Sequence, residues 1–475
     1  QCVLKRQRKV LKISSIGIVY GKFNVIHAGH IRLFHFAKSR CDKLIVAIIA
    51  NHEKQNLRDL DSRIKDLSAI NLIDQTVVYE NVNDLLINHK PNFVFKGNEF
   101  SKKHNEEKHT IDLIGAQLIF MSSDEKYDVR LKKNNYENSN ERYLRDYRKK
   151  YEVTDLLISK NIDRFANLKG LITGDLIYDQ YINCTPKGMS QEDKNLVYEK
   201  GDFKEYVGGA GIVAAHCNGL GSTSEFISVV GNDEMGRKAA ESLKKIDVES
   251  KLWLDQNRNT IVKTRYVWDH KPIFRVSVLE TIRLPDHIQE EYLGYIEHKL
   301  NDLDYLVISD FNYGLLSPEI CKSIMTSAKK NNVPVSVDCQ ISSQTGDLKK
   351  YHGAKLVTPT EVEARSALKD FDSGIAYLGE KLRDELEAEH LILKLGAQGA
   401  LIFTELDGRT QIENIPGLAI GKVVDASGAG DSMMAVATLT LAASNDIFMA
   451  AYLGSLGAGL QVTRRGNTPL SKDFW

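Results

Sequence analysis

Val424-Asp425-Ala426-Ser427-Gly428-Ala429-Gly430-Asp431-Ser432 runs directly into residues 433–443, a small and apolar stretch that reads as a buried helix. Small residues at a helix start leave the first backbone N–H groups open to surround an anion. Asp431, at the end of the run, can reach a hydroxyl held beside that anion. This is a layout for phosphoryl transfer: Asp431 as general base, with the N–H groups of Gly428, Ala429 and Gly430 stabilising charge on the migrating group.

The surrounding segments supply a scaffold for that cradle. Gly170-Leu171-Ile172-Thr173-Gly174-Asp175, Tyr305-Leu306-Val307-Ile308-Ser309-Asp310 and Val333-Pro334-Val335-Ser336-Val337-Asp338 read as parallel strands ending in a carboxylate, and Leu391-Ile392-Leu393-Lys394-Leu395 follows. In open α/β sheets ligands bind beyond the carboxyl ends of strands, so Asp175, Asp310 and Asp338 are expected on one rim. Residues 262–279 alternate as an antiparallel ribbon, which predicts a small β lid.

Further motifs stand in fixed order: Val207-Gly208-Gly209-Ala210-Gly211, Gly231-Asn232-Asp233-Glu234-Met235-Gly236, Ser309-Asp310-Phe311-Asn312-Tyr313-Gly314, Thr358-Pro359-Thr360-Glu361-Val362-Glu363 and Gly396-Ala397-Gln398-Gly399. With the cradle, they make residues 168–475 resemble the ribokinase-like, PfkB-type sugar kinases. Residues 171–211, with Gly188-Met189-Ser190-Gln191-Glu192, are most similar to heptose 7-phosphate kinases. The resemblance implies ATP as phosphoryl donor, with Asp175, Gly208 and Gly209 on sugar hydroxyls. It also implies Mg2+ positioned through water by Glu363, and Lys394 and Gly396 beside the nucleotide. The chain departs from the family pattern at Ile212 and Thr360, where Asn is usual, at Cys339, where Pro is common, and at Lys394, where Thr is frequent.

Nearer the start, Ile16-Gly17-Ile18-Val19-Tyr20 and Lys43-Leu44-Ile45-Val46-Ala47-Ile48-Ile49 read as strands flanking a helix over 29–39, with Asn92-Phe93-Val94-Phe95 a further strand. Strand, helix, strand predicts a second doubly wound parallel sheet. Between strand and helix lies Tyr20-Gly21-Lys22-Phe23-Asn24-Val25-Ile26-His27-Ala28-Gly29-His30. Gly21 permits a tight turn, Gly29 permits close approach of a ligand, and His27 and His30 share one side of the helix start as donors to a triphosphate. A pair of histidines merely capping the helix is the structural alternative.

At these residues the segment resembles the HxGH nucleotidyltransferase superfamily typified by cytidylyltransferases and the adenylyltransferase half of heptose-activating enzymes. Lys38, Arg63 and Lys96-Gly97-Asn98-Glu99 extend the likeness, while Asn24 stands where Asp is usual. Ser122-Ser123-Asp124-Glu125 and Asn51-His52-Glu53 also depart from the pattern. The resemblance implies transfer of a nucleotidyl group from an NTP, ATP or CTP, to a sugar 1-phosphate with release of pyrophosphate. His27, His30 and Lys96 would stabilise the pentavalent phosphorus with Mg2+, and Gly21, Phe23 and Gly29 would line the nucleotide. In the heptose-activating enzymes the kinase half comes first; here the order is reversed.

The expected organisation is a basic lead-in (1–14), a nucleotidyltransferase domain (15–127), a polar linker (128–167) and a kinase domain with a small β lid (168–475). Hydrophobic residues make up 42% and charged residues 27% of the 475, values of a globular chain rather than a disordered or coiled-coil one. No apolar run reaches about 18 residues, so no membrane span is expected. Lys plus Arg, 63, equals Asp plus Glu, 63, which gives the chain no electrostatic pull toward nucleic acid. The partners expected are sugar phosphates and nucleotides.

Six scattered cysteines, at 2, 41, 184, 217, 321 and 339, show no metal-ligand or disulfide spacing. With no secretory signal pattern in the opening residues, a cytoplasmic location is expected. Kinases of the resembled family pair through the lid, which implies a homodimer. The leading functional reading is therefore a bifunctional sugar-activating enzyme. Two alternatives stay open: an active kinase whose N-terminal domain only binds nucleotide, and a non-catalytic sugar- or nucleotide-responsive binding protein.

Overall fold

The computed structural model describes residues 15–50, 59–70, 72–97, 100, 105–121, 139–192, 195–269, 271–279, 281–341, 346–418 and 420–475. The chain divides into two compact units, Gln1–Asp146 with Asp372–Tyr377, and Tyr147–Phe371 with Leu378–Trp475.

In the first unit, β1 (Ile16–Gly21), α1 (Ala28–Lys38), β2 (Lys43–Ile49), α2 (Leu60–Ser68), β3 (Gln75–Tyr79), α3 (Val82–His89), β4 (Phe93–Gly97), α4 (Lys108–Leu113) and β5 (Gln117–Met121) alternate along the chain. The strands form one parallel sheet in the order β3-β2-β1-β4-β5. The middle strands read as unbroken apolar runs because helices cover both faces, and five consecutive residues of β2 are buried. Chain order reverses between β1 and β4, which opens a crevice beyond their carboxyl ends. The expected doubly wound fold is present.

In sequence, α5 (Ser139–Lys150) leads into the second unit. There follow α6 (Asp155–Arg164), β6 (Lys169–Gly174), β7 (Leu176–Met189), β8 (Leu196–Gly209), α7 (Ala210–Gly219), β9 (Thr223–Gly231), α8 (Glu234–Lys245), β10 (Glu249–Asp255), β11 (Ile261–Trp268), β12 (Lys271–Val278) and α9 (Asp286–Lys299). The remaining elements are β13 (Tyr305–Asp310), α10 (Pro318–Lys330), β14 (Val335–Cys339), β15 (Leu356–Val357), α11 (Glu361–Leu368), α12 (Ile375–Glu385), β16 (His390–Lys394), β17 (Ala400–Leu406), β18 (Arg409–Ile415), α13 (Ala429–Ser444) and α14 (Ile447–Gln461).

Nine strands make the main sheet, β10-β9-β6-β13-β14-β15-β16-β17-β18, parallel through β16 and antiparallel thereafter. The carboxylate-ending strands β13 and β14 lie side by side next to β6, so Asp175, Asp310 and Asp338 do share one rim. The helix expected after the cradle is α13, buried over nearly its whole length, as is α14. Helices apolar on all sides belong inside, and these two pack together. Met433 backs onto Gly454, where an added Cβ would lie 3.1 Å from the Met433 carbonyl.

The lid is larger than the sequence suggested. The antiparallel β11–β12 ribbon is there, but it joins two 14-residue strands in a four-stranded sheet, β12-β11-β7-β8. The long β7–β8 hairpin escapes a pattern reading because its base is buried while its tip, with Met189 and Leu196, and Phe203 midway along β8 are exposed. Residues 147–167, read above as linker, carry buried Tyr147, Val153, Asn161 and Phe165, and the Tyr147 hydroxyl donates to the Phe448 carbonyl at 2.8 Å. The charges that dominate the segment's composition lie largely on its exposed face, which is why its apolar anchors were not legible.

Candidate active sites

In the first unit the HxGH residues sit where β1 ends and α1 begins, at the mouth of the β1–β4 crevice. His27 is the N-cap: its Nδ1 accepts from the Gly29 N–H at 3.1 Å, and the His30 Nδ1 accepts from the His27 N–H at 3.4 Å. This is a capping box built from two imidazoles, whose rings stack 3.9 Å apart. A neutral His27 accepting at Nδ1 carries its proton on Nε2, so capping and donation to a ligand are compatible. Burial, then the neighbouring His27, pushes the His30 imidazolium down to about 4, so this ring is neutral at physiological pH. An added Cβ on Gly29 would lie 3.0 Å from the His27 Nδ1, so Gly29 leaves room for that ring to fold back over the helix start.

Gly21 and Phe23 are in different positions from a simple phosphate lining. Phe23 is buried, its ring 5.3 Å from His30 and 5.6 Å from Phe34, and a Cβ on Gly21 would meet that ring at 3.3 Å. Phe23 thus packs edge to face against the His30 ring. Lys96 lies near the carboxyl end of β4, but its ammonium is engaged: it donates to Glu107 and, at 2.7 Å, to the Asn105 Oδ1. The Tyr20 hydroxyl donates to the same Glu107 oxygen. Burial would raise the Glu107 carboxyl, but these two donors outweigh it and hold the group below its ordinary range. Buried Arg63 braces the crevice by donating to the carbonyls of Lys22 at 2.8 Å and Ile49 at 3.2 Å. Asn98, Glu99, residues 51–53 and residues 122–125 lie outside the described residues.

In the second unit Gly428, at φ +76°, is the N-cap of α13, a left-handed backbone that glycine adopts without steric cost. Ala429 and Gly430 are the first two residues of the helix, where N–H groups lack intrahelical acceptors. Asp431 follows on the first turn, buried, and its Oδ1 has no hydrogen-bond partner. Burial, then the charge of Asp338, pushes its carboxyl up to about 7. An unpaired buried carboxylate of this kind is costly for folding and marks a functional position.

Around it the rim residues split into two groups. Asp310 is satisfied internally, taking Lys350 at 2.6 Å, the Tyr351 hydroxyl at 2.7 Å and the Asn312 N–H at 2.8 Å. Asp175 accepts the Phe311 N–H at 2.8 Å through Oδ2, and burial, then Asp310, raises it to about 6. Asp338 is different: Oδ1 takes Lys394 at 2.8 Å and the Thr358 hydroxyl at 3.2 Å, while Oδ2 is buried without a partner. Lys394 ends β16, and Gly396, at φ +61°, opens the turn after it with free space beside it.

Glu363 is buried and closes a capping box with Thr360, accepting the Thr360 N–H at 2.7 Å. Threonine at the position where Asn was expected therefore serves as a helix cap. Ile212, at the other Asn position, is fully buried inside α7. Asp425 organises the cradle loop, accepting from the Ser427 and Gly466 N–H groups at 2.9 and 3.1 Å.

Four residues of this site were not singled out from sequence. Asp179 in β7 forms an ion pair with Arg265 of β11 and accepts from the Asn467 Nδ2 at 3.0 Å. An added Cβ on Gly208 would press on both Asp179 and Asn467, 2.9 Å from the latter's Nδ2, so Gly208 is glycine for space. Gly209, at φ +60°, N-caps α7. The available signal for Asp179 was strand period, since 175, 177 and 179 alternate onto one side. Asn467 sits in an irregular C-terminal segment and offered none. The buried ammonium of Lys263, on β11, lies 4.9 Å from the Phe311 ring centroid.

Among the described residues no group of three or more His, Cys, Asp or Glu side chains is placed to hold a metal directly. The unpaired Asp338 Oδ2 and the Glu363 oxygen not taken by Thr360 do fit Mg2+ held through water, with a nucleotide's phosphates completing its shell.

The comparisons with known proteins match this geometry. A family model described as pfkB family carbohydrate kinase covers residues 170–473, and one described as cytidylyltransferase-like covers residues 18–137. The chain is 31% identical over 312 residues to the bifunctional protein HldE of Campylobacter jejuni subsp. doylei, spanning 64% of this chain and 63% of that one. It is 27% identical over 319 residues to the bifunctional protein HldE of Pelobacter propionicus, 66% and 64% of the two chains. Arabidopsis thaliana ribokinase, solved with ribose and ATP, superposes with a TM-score of 0.51 at 16% identity over 64% of this chain and 96% of that one, a likeness of fold. With the α13 cradle, the rim carboxylates and the four-stranded lid all falling inside the matched region, the chain belongs to the pfkB family of carbohydrate kinases.

Proposed function

We propose that the second unit transfers the γ-phosphoryl group of ATP to a hydroxyl of a sugar phosphate of the heptose 7-phosphate class. The observation that carries this is the unpaired Asp431 Oδ1 on the first turn of α13, beside the small-residue cradle. The acceptor hydroxyl gives its proton to Asp431 as its oxygen bonds to the γ-phosphorus. The bond from that phosphorus to the β,γ-bridging oxygen breaks, and ADP leaves with the electron pair. The N–H groups of Gly428, Ala429 and Gly430 stabilise the charge, and Gly396 and Lys394 border the nucleotide. Asp175, Asp179, Gly208 and Gly209 shape the sugar subsite. Asp338 and Glu363 would hold Mg2+ through water, and the ion would supply charge neutralisation at the phosphates. A phosphorylated acceptor is favoured over a neutral one because Lys263 and Arg265 stand two apart on β11, on one face of the lid.

For the first unit the proposed reaction is nucleotidyl transfer from ATP or CTP to a sugar 1-phosphate, with release of pyrophosphate. His27 and His30 would contact the phosphates, Gly21, Phe23 and Gly29 would shape their seat, and Lys96 would act once released from Glu107. The bifunctional nature of the HldE relatives supports two activities in one chain. The engagement of Lys96 by Glu107 and Asn105 favours a second reading, in which this unit binds nucleotide without turning it over.

The lid is the proposed homodimer surface: Phe203, Trp268, Phe274 and Val276 are each about half exposed on its four-stranded sheet. A cytoplasmic location is proposed from the free, buried cysteines at 41, 184, 217, 321 and 339. No described helix is long and apolar enough to cross a membrane. Incubation with ATP or CTP and a panel of sugar 1-phosphates and sugar 7-phosphates, read by mass spectrometry, tests both halves. Bisphosphate and nucleotide-sugar products support the proposal; a chain that binds these ligands and makes neither product refutes it.

A further inference from the structure

Lys394 departs from the threonine frequent at this position of the family, and its placement gives the departure a chemical meaning. It is the last residue of β16, and its ammonium sits 2.8 Å from the Asp338 Oδ1 at the end of β14. On its other side it borders the first turn of α13: a Cβ added to Gly430 would lie 3.2 Å from the Lys394 Nζ. The ammonium thus stands against the small-residue cradle. Asp338 is its hydrogen-bond acceptor among the described residues, which leaves two of its three N–H donors without one. Two carboxylates of this site are themselves incomplete, since Asp338 Oδ2 and Asp431 Oδ1 are buried and unpaired. Burial alone would discharge the amine, but the carboxylates of Asp338 and Glu363 outweigh it and hold the ammonium above the ordinary lysine value. A structural ion pair needs neither the spare donors nor the position beside Gly430.

We propose that Lys394 is a catalytic cation of the phosphoryl-transfer step, donating to the non-bridging oxygens of the migrating γ-phosphoryl group. This rests on the kinase reading above. The group carries its charge on three equatorial oxygens as the acceptor oxygen bonds to phosphorus and the bond to ADP breaks, and a fixed donor aimed there acts without reorganising. Asp338 aims the ammonium, and threonine at the same position would offer one uncharged donor in its place.

The test compares wild type with Lys394→Met, Lys394→Ala and the double variant Lys394→Met/Asp338→Asn, using ATP and the acceptor on which wild type turns over. Loss of a charged oxyanion donor costs about 10²–10³ in kcat, so Lys394→Met should fall by that factor with the acceptor KM changed less than about threefold. Ammonium or methylamine should restore at least about tenfold of the lost rate to Lys394→Ala, because a small amine can fill the vacated volume beside Gly430. The double variant removes the buried charge imbalance and should regain the thermal stability lost in Lys394→Met, which separates the stability role of the pair from the rate effect of the single variant. Full kcat in Lys394→Met, or no response of Lys394→Ala to amines, would each overturn the proposal. Absence of wild-type turnover on any sugar phosphate would instead sink the kinase reading.

Discussion

Asn467 donates through its Nδ2 to the Asp179 Oδ2 at 3.0 Å, and its own Oδ1 is buried without a partner, 2.8 Å from where a Cβ on Gly428 would sit. One side chain therefore joins the base of the lid to the N-cap of α13. If Asp179 shapes the sugar subsite, Asn467 positions it. Asn467→Ala should raise the acceptor KM about tenfold, the cost of one hydrogen bond to a charged group, with kcat changed less. Gly208→Ala should do the same by pressing on both side chains. Steady-state kinetics on the two variants check this; an unchanged KM with lower kcat would remove Asn467 from the sugar subsite.

Asp431 must be ionised to take a proton, and burial has pushed its carboxyl up to about 7. The kinase kcat/KM should therefore rise between pH 6 and pH 8 with a midpoint near that value. Stability runs the other way. Because the folded value lies above the unfolded one, this group's contribution is complete below about pH 4 and is lost as the pH rises through 7. Asp431→Asn should melt a few degrees higher than wild type at pH 8 and show a smaller difference at pH 5. Calorimetry at the two pH values checks it; a variant less stable at pH 8 would mean the carboxylate is stabilised by a partner.

The two units offer separable chemistries. His27→Ala removes both the N-cap and a donor at the crevice, so pyrophosphate release should fall about 100-fold while the ATP-dependent kinase rate is unchanged. A coupled pyrophosphate assay beside an ADP assay on the same preparation reads both. Undiminished pyrophosphate release in His27→Ala would remove His27 from the chemistry, and wild type that binds nucleotide without releasing pyrophosphate would support the binding-only reading of this unit.

Phe274 and Val276 stand two apart on β12, each about half exposed. Phe274→Asp together with Val276→Lys should shift light-scattering mass from dimer to monomer if the lid sheet is the contact. A wild type already monomeric at micromolar concentration would refute pairing through this face.

How much of this was legible depends on how local the determinants are. The α13 cradle, the strand-end carboxylates and the HxGH cap are written in contiguous residues, because a phosphate seat at a helix start needs only small residues, backbone N–H groups and one neighbour. The surroundings of Asp310 and Glu363 were less readable: Lys350 and Tyr351 occupy the first, while the Thr360 N–H takes only Oε2 of the second, the carboxylate proposed to hold Mg2+ through water. Lys96 likewise meets Glu107 only in three dimensions. Asp179 and Asn467 lie 288 residues apart, and no period or spacing connects them. Contacts of that range are set by sheet order and by the path of the C-terminal segment, which composition does not encode.

Phosphorus-31 NMR of wild type and Asp431→Asn with ATP, Mg2+ and a heptose 7-phosphate decides whether α13 begins at a phosphoryl-transfer site. Wild type should convert ATP to ADP and a sugar bisphosphate in equal amounts, and Asp431→Asn should be slower by about 10³. Turnover undiminished in Asp431→Asn, or ADP formed without phosphorylated sugar, would contradict it.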